Sequence, residues 1–338
     1  MSKSKLSISI CSKVRLVRHV APAGLRGSLR TRAFSMAEVL VAMAVLSLIT
    51  LMVAQLVTSS GNLALGSRKR LDAESQARLV LSRIGDDLAR MVQRSDADCL
   101  FATAPGNDAI YFYSEAPAAF GSGTGTADKS SVALVGYRIA TAPSDNENRL
   151  ERLSKGLKWS GSASSSAQSI VLVTTDASGM PVSASRMTNA WAGAVGTSPS
   201  YRNGTDTTYQ LLADGVIRLE VAFLTTNGTV TQDPQGTGSG ATTSLGKVSA
   251  IIVTIAVLDE TSQKYVDKTK LTQIAAALSD PTQADFSSSP PLLVAKKWQN
   301  QLNSGTFATT TGIPTSVAAQ IRVYQRIFPL STRTVSAF

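Results

Sequence analysis

Imidazole and thiol are nearly absent from this chain: His19 and Cys11 lie within the first 33 residues, and Cys99 is the single thiol beyond them. A Ser-His-Asp triad, a histidine-activated cysteine and the common zinc sites each need imidazole or several thiolates. Once a leader ending at residue 33 is removed, none of these can be assembled, and neither can an intramolecular disulfide. The chemistry left to consider is that of carboxylates, and one of them sits where a carboxylate is costly. Glu38 is the only charged residue in FSMAEVLVAMAVLSLITLMVAQLVTSSGNLALGS, Phe34 to Ser67. Within a membrane span a carboxylate costs about 2.5–3.5 kcal/mol at the helix centre and less near an end.

The strongly apolar part of that run, Phe34 to Val57, has 24 residues, and as a helix would reach about 36 Å, enough to cross a bilayer. It is longer than the apolar region of a cleavable secretory signal and lacks the small-residue exit that such a signal carries. Eight basic residues and no acid precede it, against the Arg68-Lys69-Arg70 cluster beyond it. The positive-inside bias therefore puts the leader in the cytoplasm and the rest of the chain outside. Two readings of Glu38 follow. If the chain is cut before Phe34, a neighbouring subunit's Glu38 can neutralise the new α-amino group and set the stagger between packed helices. Alternatively, Glu38 is an acid at the membrane boundary, tolerated because water is near.

Arg32 and Ala33, followed by Phe34-Ser35-Met36-Ala37-Glu38-Val39-Leu40-Val41-Ala42-Met43-Ala44-Val45-Leu46, resemble the prepilin-type cleavage and methylation motif of type IV pilins and type II secretion pseudopilins. The resemblance implies cleavage between Ala33 and Phe34 by a membrane aspartyl prepilin peptidase, N-methylation of Phe34, and a role in assembly for Glu38 as the fifth mature residue. Ala33 stands where the family usually has glycine, and Ser35, Met36 and Ala37 replace the more usual Thr, Leu and Ile or Val. The implied partners are the prepilin peptidase, other pilin-like subunits, an inner-membrane assembly platform and membrane lipid. The implied location is a single pass in a bacterial inner membrane, with the head in the periplasm or in an extracytoplasmic filament. GYRI, NENRLERLSKG, LLADGVIRLEVAFL and KVSAIIVTIAVLDE look like segments of a minor pseudopilin, especially the J-type subunit of type II secretion. A second resemblance is to the prepilin-motif cassette proteins of Verrucomicrobia. The expected function is thus a minor pilin-like subunit of a secretion or pilus-like filament. The alternative is an uncleaved, signal-anchored periplasmic binding module. No enzymatic activity, cofactor, metal site or direct nucleic-acid binding is expected.

These features need elements to position them, and the rest of the chain can supply a core: 43% of its residues are hydrophobic. Most of its net charge of +10 belongs to the leader, since 25 basic and 23 acidic residues remain outside it. Helical periodicity continues beyond the apolar run, with Ala77, Leu81, Ile84, Leu88 and Met91 as a core-facing stripe to about Gln93, and Gly61, Gly66 and Gly85 as places where it could bend. Strands are predicted at Ala109 to Ser114, Val132 to Ile139, Arg149 to Leu153, Ile170 to Thr174, Val216 to Leu224 and Val248 to Leu258. In VIRLEVAFL the alternation of Ile217, Leu219, Val221 and Phe223 with Arg218, Glu220 and Ala222 predicts a half-buried strand. Helices return at Lys270 to Ser279, Leu292 to Asn303 and Ser316 to Phe328, most simply as a decorative extension. The fold expected is α+β: a long N-terminal helix, membrane-spanning in its first half, packed on an antiparallel β-sheet head with additional C-terminal helices. The divisions are a basic leader (1–33) to be cleaved, a transmembrane helix (34–57), its amphipathic continuation (58–98), a β-rich head (99–263) and a C-terminal helical extension (264–338).

Other candidates read as ordinary structure. The glycine clusters at 121–125 and 236–240 lack the Lys-Ser/Thr of a phosphate loop. Asp145, Glu147 and Glu151 fail the calcium-loop pattern at Arg149 and Leu150, leaving a solvated loop. Asp72 with Glu74 and Asp259 with Glu260 form no evident paired-acid site. Arg68-Lys69-Arg70 reads as a membrane-exit cluster, and Trp159, Trp191 and Trp298 as core or interface anchors.

Overall fold

The computed structural model describes residues 35–93, 99–102, 106–120, 128–140, 148–161, 170–175, 181–184, 209–232, 242–243, 245–289 and 291–330. The chain divides between Ser60 and Gly61 into an N-terminal unit and a head. Helix α1 covers Met36–Ala89 without interruption at any of its three glycines. Gly85 serves close packing instead of bending: a Cβ there would lie 2.8 Å from the ring of Phe328.

In the head, α1 buries Ala77, Leu81, Ile84 and Leu88 of the predicted stripe, together with Ala73 and Val80, and the helix ends at Ala89, short of the expected Gln93, so that Met91, also buried, follows it in a bridge to Ser114. Its outer positions stay polar, with Arg78 and Glu74 paired across one turn. The stripe packs on two sheets. The larger contains β1 (Cys99–Ala102), β2 (Ala109–Ser114), β5 (Ala133–Ile139), β6 (Leu150–Gly161), β7 (Ile170–Thr175), β8 (Pro181–Ala184), β9 (Tyr209–Ala213) and β12 (Thr242–Thr243), in the order β12-β1-β2-β5-β6-β7-β8 with β9 also on β6. Its pairs are antiparallel except β6 with β7, which run parallel. The smaller sheet has the order β11-β10-β13-β14, formed by β10 (Val216–Thr225), β11 (Val230–Thr231), β13 (Val248–Val257) and β14 (Arg322–Pro329), all antiparallel. A two-stranded ribbon joins β3 (Ala118–Phe120) to β4 (Asp128–Ser130). The two main sheets meet where Asn107 Oδ1 accepts from the Leu219 N–H (3.0 Å) and Asp108 Oδ2 from the Val221 N–H (2.9 Å). The predicted α+β arrangement is therefore present.

The C-terminal segment departs from expectation in two ways. Its helices are α2 (Glu260–Gln263), α3 (Lys268–Ala277), α4 (Gln283–Ser287), α5 (Val294–Leu302), α6 (Phe307–Thr311) and α7 (Thr315–Ala318). The helix expected over Ser316 to Phe328 stops at Ala318, and the chain then forms β14, paired with β13 from Arg322↔Val257 to Pro329↔Ala250. RVYQRIFP is rich in β-branched and aromatic residues, and the waiting edge of β13 decides between two local conformations that so short a segment leaves open. Nor is the segment decorative. Leu271, Ile274, Phe286, Val294, Trp298, Phe307 and Val317 pack with Ile217, Ala222, Ile252 and Ala256 into a second core on the face of the smaller sheet opposite α1. β10, expected to be half-buried, is consequently buried on both faces, and Arg218 and Glu220 lie inside.

Candidate functional site

The start of α1 closes on itself. The Ser35 N–H donates to Glu38 Oε2 (2.9 Å), and the Glu38 N–H donates to Ser35 Oγ (3.2 Å). This reciprocal arrangement, a capping box, satisfies two backbone donors that a helix start leaves free. It also holds the Glu38 carboxylate at the positive end of the helix dipole. The pattern Ser-x-x-Glu ahead of an apolar run is visible in the sequence, so the pairing could have been read there. Ala33 and Phe34, the predicted processing positions, lie outside the described residues, as do Cys11 and His19.

From Met36 to Leu65 every residue of α1 is exposed. Val41, Ala42, Val45, Leu46 and Ile49 continue one face from Glu38. The hydroxyls in the run turn inward on their own backbone: Ser47 Oγ donates to the Ala44 carbonyl (2.9 Å), Thr50 Oγ1 to Ser47 (2.9 Å) and Thr58 Oγ1 to Ala54 (2.8 Å). A helix with its backbone and hydroxyl groups satisfied internally suits a hydrocarbon surrounding. The run is long and apolar enough to cross a membrane.

Among solved structures, this chain is similar to a type IV-like pilin from Thermus thermophilus. The identity is 12% and the TM-score 0.31, over 75% of this chain and 93% of the other. No protein-family profile and no curated protein sequence matches the chain.

Within the head, α1 is held by polar contacts that follow one another along it. Lys69 Nζ donates to Ser262 Oγ (3.4 Å), Asp72 Oδ2 accepts from the Glu260 N–H (3.1 Å), and Gln76 Oε1 accepts from the Gly215 N–H (2.9 Å). Further along lies Asp87, buried and bound by three side chains. Arg152 meets it with two bonds, Nε to Oδ2 at 2.7 Å and a terminal nitrogen to Oδ1 at 3.1 Å. The Tyr137 hydroxyl donates to Oδ2, and Arg83 approaches to 3.6 Å. Burial, and then the adjacent Asp87 carboxylate, push the Tyr137 phenol far above its usual range, so it stays a donor. Sequence reading singled out neither Asp87 nor its partners, because they are 50 and 65 residues away.

The second buried charge cluster lies under the C-terminal helices. Arg218 Nε donates to the Leu278 carbonyl (3.2 Å), its terminal nitrogens reach Asp280 and Asn107 Oδ1, and its guanidinium lies 5.5 Å from the Trp298 ring centre. Glu220 Oε1 accepts from Gln232 (2.7 Å), while Oε2 has no hydrogen-bond partner although Arg218 lies 3.3 Å away. Burial, with Asp108 close by, pushes the Glu220 carboxyl well above the usual carboxylate range, and Arg218 only partly offsets this. Arg218 thus lies between two carboxyl groups, Glu220 at 3.3 Å and Asp280, which it meets directly. Because the folded state retains the Glu220 proton longer than the unfolded chain does, stability is fullest below the ordinary glutamate pKa and falls as pH rises towards the raised value. The loss from this group approaches about 1.4 kcal/mol per pH unit within that window. Glu220→Gln is expected to flatten that dependence, with a gain in melting temperature that grows from pH 5 to pH 8. Parallel wild-type and variant curves across this range in calorimetry would refute the assignment.

The remaining candidates resolve individually. Glu151 is not in a solvated loop; it lies buried in β6 and pairs with Arg138 at 2.9 Å. Asp145, Glu147, Trp191 and the two glycine clusters fall outside the described residues, and Trp159 belongs to β6. Trp298 is fully buried, an anchor of the second core. Asp72 contacts the backbone of α2, and Asp259 caps that helix by accepting from the Ser262 N–H at 3.0 Å.

Proposed function

We propose that this chain is a minor pilin-like subunit of the pseudopilin type, stored in the bacterial inner membrane and transferred into a type II secretion or type IV pilus-like filament. The observation that carries the reading is the start of α1: an exposed, internally satisfied apolar run to Ser67 whose one carboxylate, Glu38, sits in the first turn of the helix behind a basic leader. A prepilin peptidase cuts between Ala33 and Phe34, and Phe34 becomes the methylated terminus. In the lone subunit the Glu38 carboxylate caps its own helix. In the filament it also meets the amino group of a neighbouring Phe34, which a carboxylate at this depth neutralises better than water can. The same apolar surface faces lipid before assembly and other subunits after it, so extraction does not expose it to water. The assembly platform and the other pilin-like subunits are the partners; the helix and its packing, not a reaction, are the function.

Mass spectrometry of the N-terminal peptide from membrane-extracted protein, with and without a co-expressed prepilin peptidase, tests the processing. A methylated Phe34 is expected with the peptidase. Retention of the Met1 leader beside an active enzyme would favour an uncleaved anchored module. For assembly, Glu38→Leu is expected to leave the protein folded and membrane-bound while abolishing its cross-linking to partner subunits. Undiminished cross-linking in that variant overturns the role given to Glu38.

A further inference from the structure

β14 is the last strand of the smaller sheet, and its outer edge is unpaired. The Leu330 N–H donates to the Ser249 carbonyl (2.8 Å), and this pair continues the register in which β13 and β14 face each other. In an antiparallel ladder the bonded pairs alternate, so Arg322, Tyr324, Arg326 and Phe328 turn their backbone groups towards β13. The N–H and C=O groups of Val323, Gln325 and Ile327 therefore point away from the sheet, and these three N–H groups have no hydrogen-bond partner among the described residues. Pro329, which has no N–H, ends the outward row. Both faces of the strand are already used: Tyr324 and Phe328 pack on the core shared with α1, and Val323 packs on the second core. Ile327 is nonetheless 48% exposed, and outside α1 only Leu211 and Tyr265 join it among the described large hydrophobic residues. Arg326 is exposed beside it, 5.1 Å from the Phe328 ring centre, and β14 contains no acid. An unpaired edge with an apolar side chain on it is a template for a further strand.

We infer that the outer edge of β14 takes up an extended, acidic segment of another filament subunit as an added antiparallel strand. That the partner is a filament subunit rests on the function proposed above; the edge itself does not. An incoming strand exchanges two hydrogen bonds with each of Val323, Gln325 and Ile327, which gives affinity without regard to sequence. Selection comes from the side chains. Arg326 falls between bonded pairs, where opposing side chains approach most closely, so an acid opposite it is favoured and a base is rejected. An apolar residue opposite Ile327 covers its exposed surface. The segment 331–338, STRTVSAF, is a poorer occupant, since it has no Gly, Pro, Asn or Asp with which to reverse the chain and brings a further arginine with no acid. A second copy is also disfavoured. β14 runs in the same direction as the docked part of α1, with Tyr324 within the influence of Glu74 and Arg78, and Phe328 against Gly85. Antiparallel pairing of two β14 strands would therefore set two docked helices in opposite directions, whereas subunits of one filament share a direction.

The test reads amide hydrogen exchange residue by residue in the full chain held in detergent, alone and with millimolar peptide. The probes are acetyl-Thr-Val-Glu-Val-Thr-Val-Glu-amide and the same peptide with lysine for both glutamates. In the lone chain, Tyr324, Arg326 and Phe328 are expected to be protected, while Val323, Gln325 and Ile327 exchange freely. The acidic peptide should slow exchange at those three several-fold, and the lysine peptide should not. Ile327→Pro deletes one outward donor and no bond to β13, so it should abolish the effect with little change in melting temperature. Ile327→Thr keeps the donor and should retain a weakened effect. No protection by the acidic peptide, or equal protection by both peptides, overturns the proposal. So does protection of the three amides in the lone chain: if ending the chain after Leu330 relieves it, residues 331–338 are the occupant, and if dilution relieves it, a second copy is. Cleavage at Phe34 and cross-linking through Glu38 are read separately. Failure at the edge therefore leaves the filament reading standing, and an edge that takes the acidic peptide in a chain that is never processed loses only the filament as the source of its partner.

Discussion

Asp87→Ala is expected to destabilise the head by about 3–5 kcal/mol, because it strands a largely buried arginine and a buried phenol with no anion between them. Asp87 is the point at which α1 is tied to β5 and β6: two bonds from Arg152, one from Tyr137, and its own backbone carbonyl accepting from Ser114 Oγ at 2.9 Å. Arg152 has little access to water once the helix is docked, so it cannot exchange the lost carboxylate for hydration. The melting temperature should fall by on the order of 10 °C for a head of this size. Asp87→Asn keeps the volume and one acceptor and should fall between the wild type and the alanine variant. Removing both charges, with Asp87→Ala and Arg152→Met, should recover much of the loss, since a buried pair costs far more to break than to replace. Thermal unfolding of the full chain in detergent reads all four proteins, and a loss below about 1 kcal/mol for Asp87→Ala would mean that the network is ornamental.

Trp298→Ala is the second large effect, also about 3–5 kcal/mol, from the transfer and cavity terms of a fully buried indole. Trp298 projects from α5 into the core between the C-terminal helices and the smaller sheet, donates from Nε1 to the Ser279 carbonyl (3.0 Å), and lies against the Arg218 guanidinium. Its loss uncovers the Arg218 guanidinium, so water should reach it. The decisive readout is amide hydrogen exchange in β10 and β13. If the C-terminal helices are part of one cooperative head, protection in those strands falls together with protection in α3 and α5. Unchanged protection in β10 and β13 beside a melted α5 would make the segment a separate layer.

Much of the candidate site is legible in the sequence. The apolar run, its single carboxylate at Glu38, the basic leader before it and the Ser35-x-x-Glu38 pattern are all properties of neighbours in the chain. The stripe from Ala77 to Met91 and five of the six predicted strands reappear within about two residues of their predicted bounds, and β6 runs on to Gly161. The departures are uniform in kind. Arg218 and Glu220 alternate with apolar residues as a solvated face would, yet they are buried, because a helical layer from much later in the chain, including Leu271, Ile274 and Trp298, covers that face. Ser316 to Phe328 carries enough apolar residues for a helix, yet Arg322 onward becomes β14, because β13 offers it a partner. Gly85 looks like a helix breaker, yet it admits the Phe328 ring against α1.

The sequence by itself determined what depends on spacing along one chain: a membrane-competent helix, where its charge and cap lie, the stripe that docks it and the strands that alternate. Only the tertiary structure decided which polar groups are buried, which edge captures β14 and which helices close the second core. The reason is that periodicity reports a residue's own hydropathy at short range, whereas burial of Asp87, Arg218 and Glu220 is set by partners brought together across the chain, whose compensating charges no local pattern contains.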